Sequence, residues 1–304
     1  MIVCILTLGC KVNQYESCQI AQKYIENGCQ VVQKFTPDAD EYIVNTCAVT
    51  AHAEKKSRNT VSRVKRAAGT KPVTVCGCGN ERTLNKSLSS HGKCGFTHPV
   101  KALQNRKRAF IKVQDGCNNF CTYCVVPYLR GQSKSRALHD ITDEIQSCGK
   151  PFVLTGIDLS SYGADIGTDL GYLCKEVDRC NLPFELSSIE VGILTNEFLE
   201  TLKKCKNFIP KFHIPLQSGS DKILKDMNRK YTRAEYMQAI KKIRTYFPDA
   251  IISTDVINGY PTETEFDIAK TQEVIKTCNF SHVHMFPYSD RSELINFLKS
   301  QDMV

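Results

Sequence analysis

Three cysteines stand within eight positions in the segment "DGCNNFCTYC", residues 115–124. Cys117, Cys121 and Cys124 directly follow a predicted strand, 108–114, so we expect them on a loop at its carboxyl end. A disulfide within this group would leave one thiol over, and a zinc site usually has paired C-x2-C units and four ligands. Three thiolates on one loop can instead bind three irons of a [4Fe–4S] cluster, leaving the fourth iron open for another ligand. The spacing therefore predicts a reactive iron–sulfur centre.

A second set of cysteines is spread over the first 80 residues. Cys10 and Cys47 each lie at or just past the end of a predicted strand, and the segment "VCGCGNE" offers Cys76 or Cys78 as a third. The carboxyl ends of neighbouring parallel strands lie close together, so cysteines far apart in sequence can converge there. We therefore expect a second three-thiolate cluster site.

Strand-like and helix-like segments alternate along the chain, which predicts an α/β fold with parallel sheets. Before a polar stretch at 80–106, the predicted strands are 2–9, 41–47 and 72–78, with helices around 14–27 and 50–68. After it, the predicted strands are 108–114, 151–157, 184–191, 211–217, 250–257 and 281–288, with helices such as 220–227 and 232–246. We expect a parallel α/β sheet domain over 1–100 and a partial (β/α)6 barrel over 105–304, with chemistry at the carboxyl ends of its strands.

The composition indicates a globular protein with an excess of positive charge. Of 304 residues, 41% are hydrophobic and 24% charged, and the net charge is +8. No apolar run approaches the roughly 18–20 residues of a membrane helix, and the start "MIVCILTLGC" lacks the flanks of a signal peptide. We therefore expect no membrane partner, a cytoplasmic location and reduced thiols for the 16 cysteines. The basic excess suits a polyanionic partner without requiring one.

These motifs resemble a known family. The C-x3-C-x2-C spacing, with Tyr123 before the last cysteine, resembles the radical S-adenosylmethionine (SAM) superfamily. The resemblance implies that the open iron binds SAM and that an electron from the cluster cleaves it to a 5′-deoxyadenosyl radical. The motifs "LGCKVNQYES", "VNTCAVT", "YLRGQSKSR", "LTGIDLSSYG" and "HIPLQSGSDKILKDMNRKYT" narrow the resemblance to the methylthiotransferases. The Gly-Cys pattern of that family favours Cys78 over Cys76.

Within this family, "LGCKVNQ" and "NTCAVT" resemble the branch that acts on N6-threonylcarbamoyladenosine in tRNA, and not the branches that act on isopentenyladenosine or on a ribosomal protein. The resemblance implies methylthio transfer to C2 of N6-threonylcarbamoyladenosine next to the anticodon. It also implies two [4Fe–4S] clusters, SAM, an electron donor such as flavodoxin or ferredoxin, and a sulfur donor. The alternatives are methylthiolation of a ribosomal protein and a truncated, catalytically impaired relative that still binds clusters.

Several residues at predicted strand ends are candidates for SAM binding. Gly156 resembles the backbone position that meets the methionine amino group in the family. Ser188 and Glu190 alternate on one predicted strand and could face the ribose or the amino group. Gln217 and Asp255 also end predicted strands, and polar side chains inside a barrel are costly to bury unless paired. Tyr123 completes the predicted cofactor set.

Two basic segments flank the cysteine loops and are candidates for RNA contact. The first is the predicted helix 53–68, whose candidate residues are Lys55, Lys56, Arg58, Arg63, Lys65 and Arg66. The second is "RGQSKSR", residues 130–136, with Arg130 and Arg136. In either segment, the alternative is a solvated charged surface.

The chain departs from the family pattern in two places. The segment 79–107 is shorter than in the family, which suggests a lost βα unit. After "PYSDR", residues 287–291, the sequence diverges, so we expect the C-terminal RNA-binding β-barrel of the family to be absent.

Overall fold

The computed structural model describes residues 1–79, 100 and 107–300. The shortened segment noted above lies mostly outside the described residues. Among the described residues, no helix is both long and apolar enough to cross a bilayer.

The N-terminal part is a four-stranded parallel sheet in the order β2-β1-β3-β4. Its elements are β1 (Ile2–Thr7), α1 (Lys11–Glu26), β2 (Gln30–Val32), β3 (Glu41–Thr46), α2 (Ala51–Ala68) and β4 (Val73–Gly77). Residues alternate between its two faces, as strand geometry requires. On one face Val44 packs with Val61 and Val64 of α2, whereas on the other Ile5 packs with Ala21 of α1. The predicted parallel sheet is confirmed, and the three-residue β2 was not predicted.

The remaining residues form the predicted partial barrel. Its strands are β5 (Ala109–Lys112), β8 (Phe152–Thr155), β9 (Phe184–Leu186), β10 (Lys211–His213), β11 (Ile251–Asn258) and β12 (His282–Pro287), and a small antiparallel pair consists of β6 (Gln114–Asp115) and β7 (Lys134–Ser135). The helices are α3 (Val126–Arg130), α4 (Leu138–Cys148), α5 (Leu170–Asp178), α6 (Asn196–Lys204), α7 (Asp221–Asp226), α8 (Arg233–Tyr246), α9 (Glu265–Cys278) and α10 (Ser292–Lys299). Two parallel three-stranded sheets, β5-β8-β9 and β10-β11-β12, are joined by the bridges Phe184↔Phe208 and Ser188↔His213. The predicted fold class is confirmed.

Two predicted strands are shorter than expected. The strand predicted over 184–191 ends at Leu186, and Glu190 immediately precedes a short 3-10 turn, Val191–Ile193. The strand predicted over 211–217 ends at His213, and Gln217 has a left-handed backbone with φ of 61°. Asp255 lies inside β11 and does not end it. The chain bends early at these points, so the polar residues that follow lie on loops.

The sheet and the barrel meet along α1. The Tyr15 hydroxyl donates to the Glu144 carboxylate over 2.9 Å, and Lys112 of β5 donates to Glu16 of α1 over 2.9 Å. On the opposite side of the sheet, Arg291 donates to the carbonyl of Ala48 over 3.0 Å. These contacts bring the loops after β1, β3 and β4 towards the loop after β6.

Candidate metal centres and cofactor cavity

The loop with Cys117, Cys121 and Cys124 lies between β6 and α3. We call it the radical-type loop. The amide of Cys124 donates to the carbonyl of Cys121 over 2.9 Å, and the amide of Cys117 donates to the carbonyl of Gly131 over 3.1 Å. The loop leaves β6 at Gly116, whose φ is 76° and where a Cβ would lie 2.0 Å from the Gln132 carbonyl oxygen. Only glycine fits such a position, so this close approach fixes where the cysteine loop begins.

The three thiols of this loop lie within electrostatic reach of one another. Burial raises the pKa of the Cys117 thiol to about 11 and that of Cys124 to about 12. Arg229 brings a positive charge to this set, since its Nη1 donates to Cys121 Sγ over 3.4 Å. Protein groups alone therefore do not favour three thiolates, whereas a bound metal deprotonates a coordinating thiol outright.

The second predicted cluster site consists of Cys10, Cys47 and Cys78, which follow three different strands. We call it the auxiliary site. Cys10 is exposed and precedes α1, whereas Cys47 and Cys78 are buried after β3 and β4. A Cβ on Gly9 would lie 3.0 Å from the Cys47 Cβ, so the loop after β1 packs against the loop after β3. The Asn13 amide group donates to the Thr46 carbonyl over 2.7 Å, which holds α1 to the same loop.

Cys76 and Cys78 have different surroundings. Cys76 lies within β4 and packs with Val3 and Ile5 on the α1 face of the sheet. Gly77 then takes a φ of 91°, and Cys78 follows outside the strand. Burial raises the pKa of Cys78 to about 11, and its Sγ accepts a hydrogen bond from Arg130 Nε over 3.4 Å. The geometry supports Cys78 over Cys76 as the third ligand.

Each cysteine set offers three thiols, and in a [4Fe–4S] cluster each cysteine binds its own iron. Within residues 1–79, 100 and 107–300, no three His, Cys, Asp or Glu side chains stand close enough to share one metal ion. Each set also has a buried arginine at one sulfur, which offsets the negative charge of thiolate ligands.

A cavity of about 380 Å³ opens beside the radical-type loop. Its wall includes Asn119, Cys121, Asp158, Glu190, Arg229 and Tyr231. Arg229 pairs with the Glu190 carboxylate and lies 5.0 Å above the Tyr231 ring. The Asn119 side chain donates to Asp158 over 3.0 Å. The cavity thus has both a carboxylate and a guanidinium next to a cysteine sulfur.

Of the predicted SAM-binding residues, Glu190 lines this cavity. A Cβ on Gly156 would lie 2.7 Å from Gln114 Oε1, so Gly156 packs closely against the Gln114 side chain. The same oxygen accepts a hydrogen bond from the amide of the cavity residue Asp158. His213 contacts Asp255 over 3.0 Å. Tyr123, Ser188, Gln217 and Asp255 are outside the described wall of the cavity, and their roles stay predictions.

The cavity residues that the sequence analysis did not single out include Asp158, Arg229 and Tyr231. Arg229 and Tyr231 lie in the segment "NRKYT" that carried the family resemblance, but their position beside Cys121 depends on the fold. Asp158 follows the turn after β8 and lies 3.9 Å from Cys117 Sγ. A search for charged residues shortly after strand ends would have found Asp158.

The basic helix α2 presents much of its charge to a groove of about 560 Å³. Four of the predicted RNA-contacting residues line this groove together with His52, Asn59 and Thr60: they are Lys55, Lys56, Arg63 and Arg66. Arg58 pairs with Glu54 over 3.0 Å, and Lys65 is not among the lining residues. Their contact with RNA remains a prediction.

The prediction of RNA contacts at Arg130 and Arg136 is wrong, because both side chains are buried. Arg136 is 2% exposed and pairs with Glu144, and Arg130 is 8% exposed and pairs with Glu16 and Asp115. The pair between Arg130 and Glu16 joins α1 to the barrel, whereas the pairs of Arg130 with Asp115 and of Arg136 with Glu144 lie within the barrel.

Family models match both parts of the chain. A model of the radical SAM superfamily matches residues 111–275, and a model described as Uncharacterized protein family UPF0004 matches residues 2–96. The larger match covers more than half of the chain and includes the loop with Cys117, Cys121 and Cys124. The fold and this loop therefore define a radical SAM enzyme.

Curated relatives narrow the class. The chain is 36% identical to the threonylcarbamoyladenosine tRNA methylthiotransferase MtaB of Aquifex aeolicus, over 96% of this chain and 81% of the relative. It is 33% identical to the protein of that name from Bacillus subtilis, over 94% and 73%. It is 30% identical to the tRNA-2-methylthio-N(6)-dimethylallyladenosine synthase of Acetivibrio thermocellus, over 96% and 70%. The chain belongs to the methylthiotransferase family of radical SAM enzymes, whose cofactors are [4Fe–4S] clusters and SAM.

Two solved structures support the fold. The radical SAM methyltransferase TsrM of Kitasatospora setae matches with a TM-score of 0.64 at 13% identity, over 94% of this chain and 74% of that one. The cobalamin-dependent SAM radical enzyme OxsB matches with a TM-score of 0.64 at 10% identity, over 99% and 55%. At these identities the likeness concerns the fold alone.

Proposed function

We propose that this chain transfers a methylthio group to C2 of N6-threonylcarbamoyladenosine in tRNA, next to the anticodon. The observation that carries the proposal is the pair of three-cysteine sites, each with an arginine at one sulfur. It occurs in a chain that aligns over 96% of its length with a relative named for this reaction. C2 of adenine carries an unactivated hydrogen, which acid–base chemistry does not remove and radical chemistry does.

In this proposal Cys117, Cys121 and Cys124 hold the cluster that supplies the electron for reductive cleavage of SAM. The cavity beside Cys121 receives the SAM molecule. Glu190 and Arg229 suit its amino acid end, since the carboxylate can accept from the amino group and the guanidinium can donate to the carboxylate. Binding there would exchange the Glu190–Arg229 pair for two pairs with the ligand.

Cys10, Cys47 and Cys78 hold the auxiliary cluster, which supplies the site for the sulfur to be transferred. The exposure of Cys10 leaves one side of this site accessible, whereas Cys47 and Cys78 are buried. The protein thereby positions sulfur next to the barrel and shields two of the three ligands from solvent.

The groove on α2 provides phosphate contacts for tRNA through Lys55, Lys56, Arg63 and Arg66. We further propose a cytoplasmic location, an electron donor such as flavodoxin or ferredoxin, and a separate sulfur donor. The division into an auxiliary-cluster domain at 1–100 and a radical SAM domain at 105–304 is part of the same proposal.

The test is anaerobic reconstitution with iron and sulfide, then reaction with SAM and a chemical reductant, followed by mass spectrometry of tRNA nucleosides and of ribosomal peptides. We expect methylthio product on tRNA that carries threonylcarbamoyladenosine, and none with the Cys47→Ala variant. Matched reactions contain tRNA with dimethylallyladenosine or ribosomal protein. Product from either of those substrates alone would overturn the substrate assignment, and loaded protein without any product would favour an impaired relative.

A further inference from the structure

Arg130 occupies a buried network of four charged side chains at the contact between α1 and β5. Its Nη1 donates to Glu16 over 2.8 Å and to Asp115 over 3.1 Å, and its Nη2 donates to Glu16 over 3.1 Å. Lys112 donates to the same two carboxylates, over 2.9 Å and 2.7 Å. Two cations thus face two carboxylates among the described residues.

The Nε of Arg130 does not take part in these ion pairs. It donates to Cys78 Sγ over 3.4 Å. The next residue, Gly131, accepts from the amide of Cys117 over 3.1 Å. One dipeptide therefore contacts a cysteine of each set, the auxiliary one through a guanidinium and the radical one through a backbone carbonyl.

We propose that Arg130 is a positioning residue that holds Cys78 and raises the reduction potential of the auxiliary cluster. The inference rests on the proposal that Cys10, Cys47 and Cys78 bind a cluster. Hydrogen bonds to ligand sulfurs and nearby positive charge are the levers by which a protein raises such potentials, because reduction adds negative charge to the cluster. Glu16 and Asp115 orient the guanidinium, and burial limits screening by water.

Arg136 offers a matched control. It is also a buried arginine between α1 and the barrel, and its Nη1 donates to the Tyr15 hydroxyl over 3.1 Å and pairs with Glu144. Its guanidinium donates to oxygen atoms of Tyr15, Lys112, Glu144 and Asp140. A change at Arg136 disturbs the same contact between sheet and barrel without touching a cysteine.

The experiment uses the full chain with Cys117, Cys121 and Cys124 replaced by alanine, so that only the auxiliary cluster is reconstituted. The midpoint potential and the electron paramagnetic resonance spectrum of the reduced cluster are measured for three further variants. Arg130→Gln removes the charge, Arg130→Lys keeps the charge but loses Nε, and Arg136→Gln is the control. We expect Arg130→Gln to lower the equilibrium constant for reduction about tenfold, or about 59 mV for one electron. Arg130→Lys should give a smaller shift and Arg136→Gln none.

The outcomes separate this inference from the proposed function. A triple-alanine background that binds no iron would overturn the auxiliary cluster and this inference with it. A background that binds about four irons, with the same potential and spectrum in all variants, would overturn the role of Arg130 alone, as would equal shifts at Arg130 and Arg136. If Arg130→Gln does not fold, Arg130→Lys decides, since a shift absent from Arg136→Gln supports the inference and no shift contradicts it.

Discussion

The two cysteine sites of this chain are built in opposite ways. Cys117, Cys121 and Cys124 come from one loop of eight residues, whereas Cys10, Cys47 and Cys78 come from the ends of three parallel strands. The first site opens onto a cavity of about 380 Å³. At the second, the arginine next to the sulfur is fixed by two carboxylates.

The arginines show what this difference means. Arg229 pairs with Glu190 at the cavity wall, and in the proposed function a zwitterionic ligand replaces that partner. Arg130 pairs with Glu16 of α1 and with Asp115 of β6. A ligand that replaced these carboxylates would break a contact between the sheet and the barrel. The comparison indicates that the radical-type site is arranged to admit a ligand and the auxiliary site to hold its geometry.

The largest effect that separates the two sites is on SAM cleavage. Cys117→Ala should abolish reductive cleavage of SAM, because the cluster beside the cavity loses a ligand. Cys47→Ala should leave cleavage in place and block methylthio transfer. Chromatography of 5′-deoxyadenosine and of tRNA nucleosides checks both expectations. Equal loss of cleavage in the two variants would contradict the division of labour.

Iron content should follow the same division. The reconstituted wild-type chain should bind about eight irons, and the variant with Cys10, Cys47 and Cys78 replaced by alanine about four. Cys76→Ala is the control, and because that thiol packs with Val3 and Ile5 in the sheet it should keep the full count. Iron and sulfide analysis after desalting gives the numbers. A wild-type content of about four irons, unchanged in the triple variant, would remove the second site.

Glu190→Gln should weaken SAM binding by about 2 kcal/mol, because it leaves Arg229 without its charged partner and removes the acceptor for the amino group. That corresponds to roughly thirtyfold in the dissociation constant. Glu185→Gln is the matched control, since Glu185 is a paired carboxylate of the same strand region that contacts Arg108 and Lys211 outside the cavity wall. Isothermal titration with SAM measures both. Equal affinity in wild type and Glu190→Gln would exclude Glu190 from the binding site.

The smallest expected effect concerns the groove on α2. Arg63→Ala with Arg66→Ala should weaken tRNA binding and lower the slope of log affinity against log salt by roughly 1.5, since each phosphate contact adds about 0.7–0.9. Lys203→Ala with Lys204→Ala, on the exposed end of α6, is the control and should leave the slope unchanged. Filter binding at several salt concentrations provides the slopes. An unchanged slope in the first variant would make the groove a solvated surface.

Many of the helices and strands could be predicted because each has an apolar periodicity within its own segment. The strands at 2–7 and 41–46 and the helix at 51–68 follow apolar patterns of their own segments. The short β2 could not be found that way, because three residues carry too little pattern. Ser188, Glu190 and Gln217 were placed on strands because the polar alternation continues past Leu186 and His213, where the chain in fact turns.

By itself, the sequence predicted a three-thiolate site at Cys117, Cys121 and Cys124, since their spacing within one loop is a local property. It predicted the set Cys10, Cys47 and Cys78 less directly, because each of these cysteines follows a separate predicted strand. It did not determine the partners of the arginines. Arg130 was predicted on the surface from its basic neighbourhood, yet it is buried between Glu16 and Cys78, which are 114 and 52 residues away along the chain. Arg229 reaches Cys121 across 108 residues. Such contacts form only when the sheet packs on the barrel and the barrel strands align, so tertiary structure decided which charge faces each sulfur.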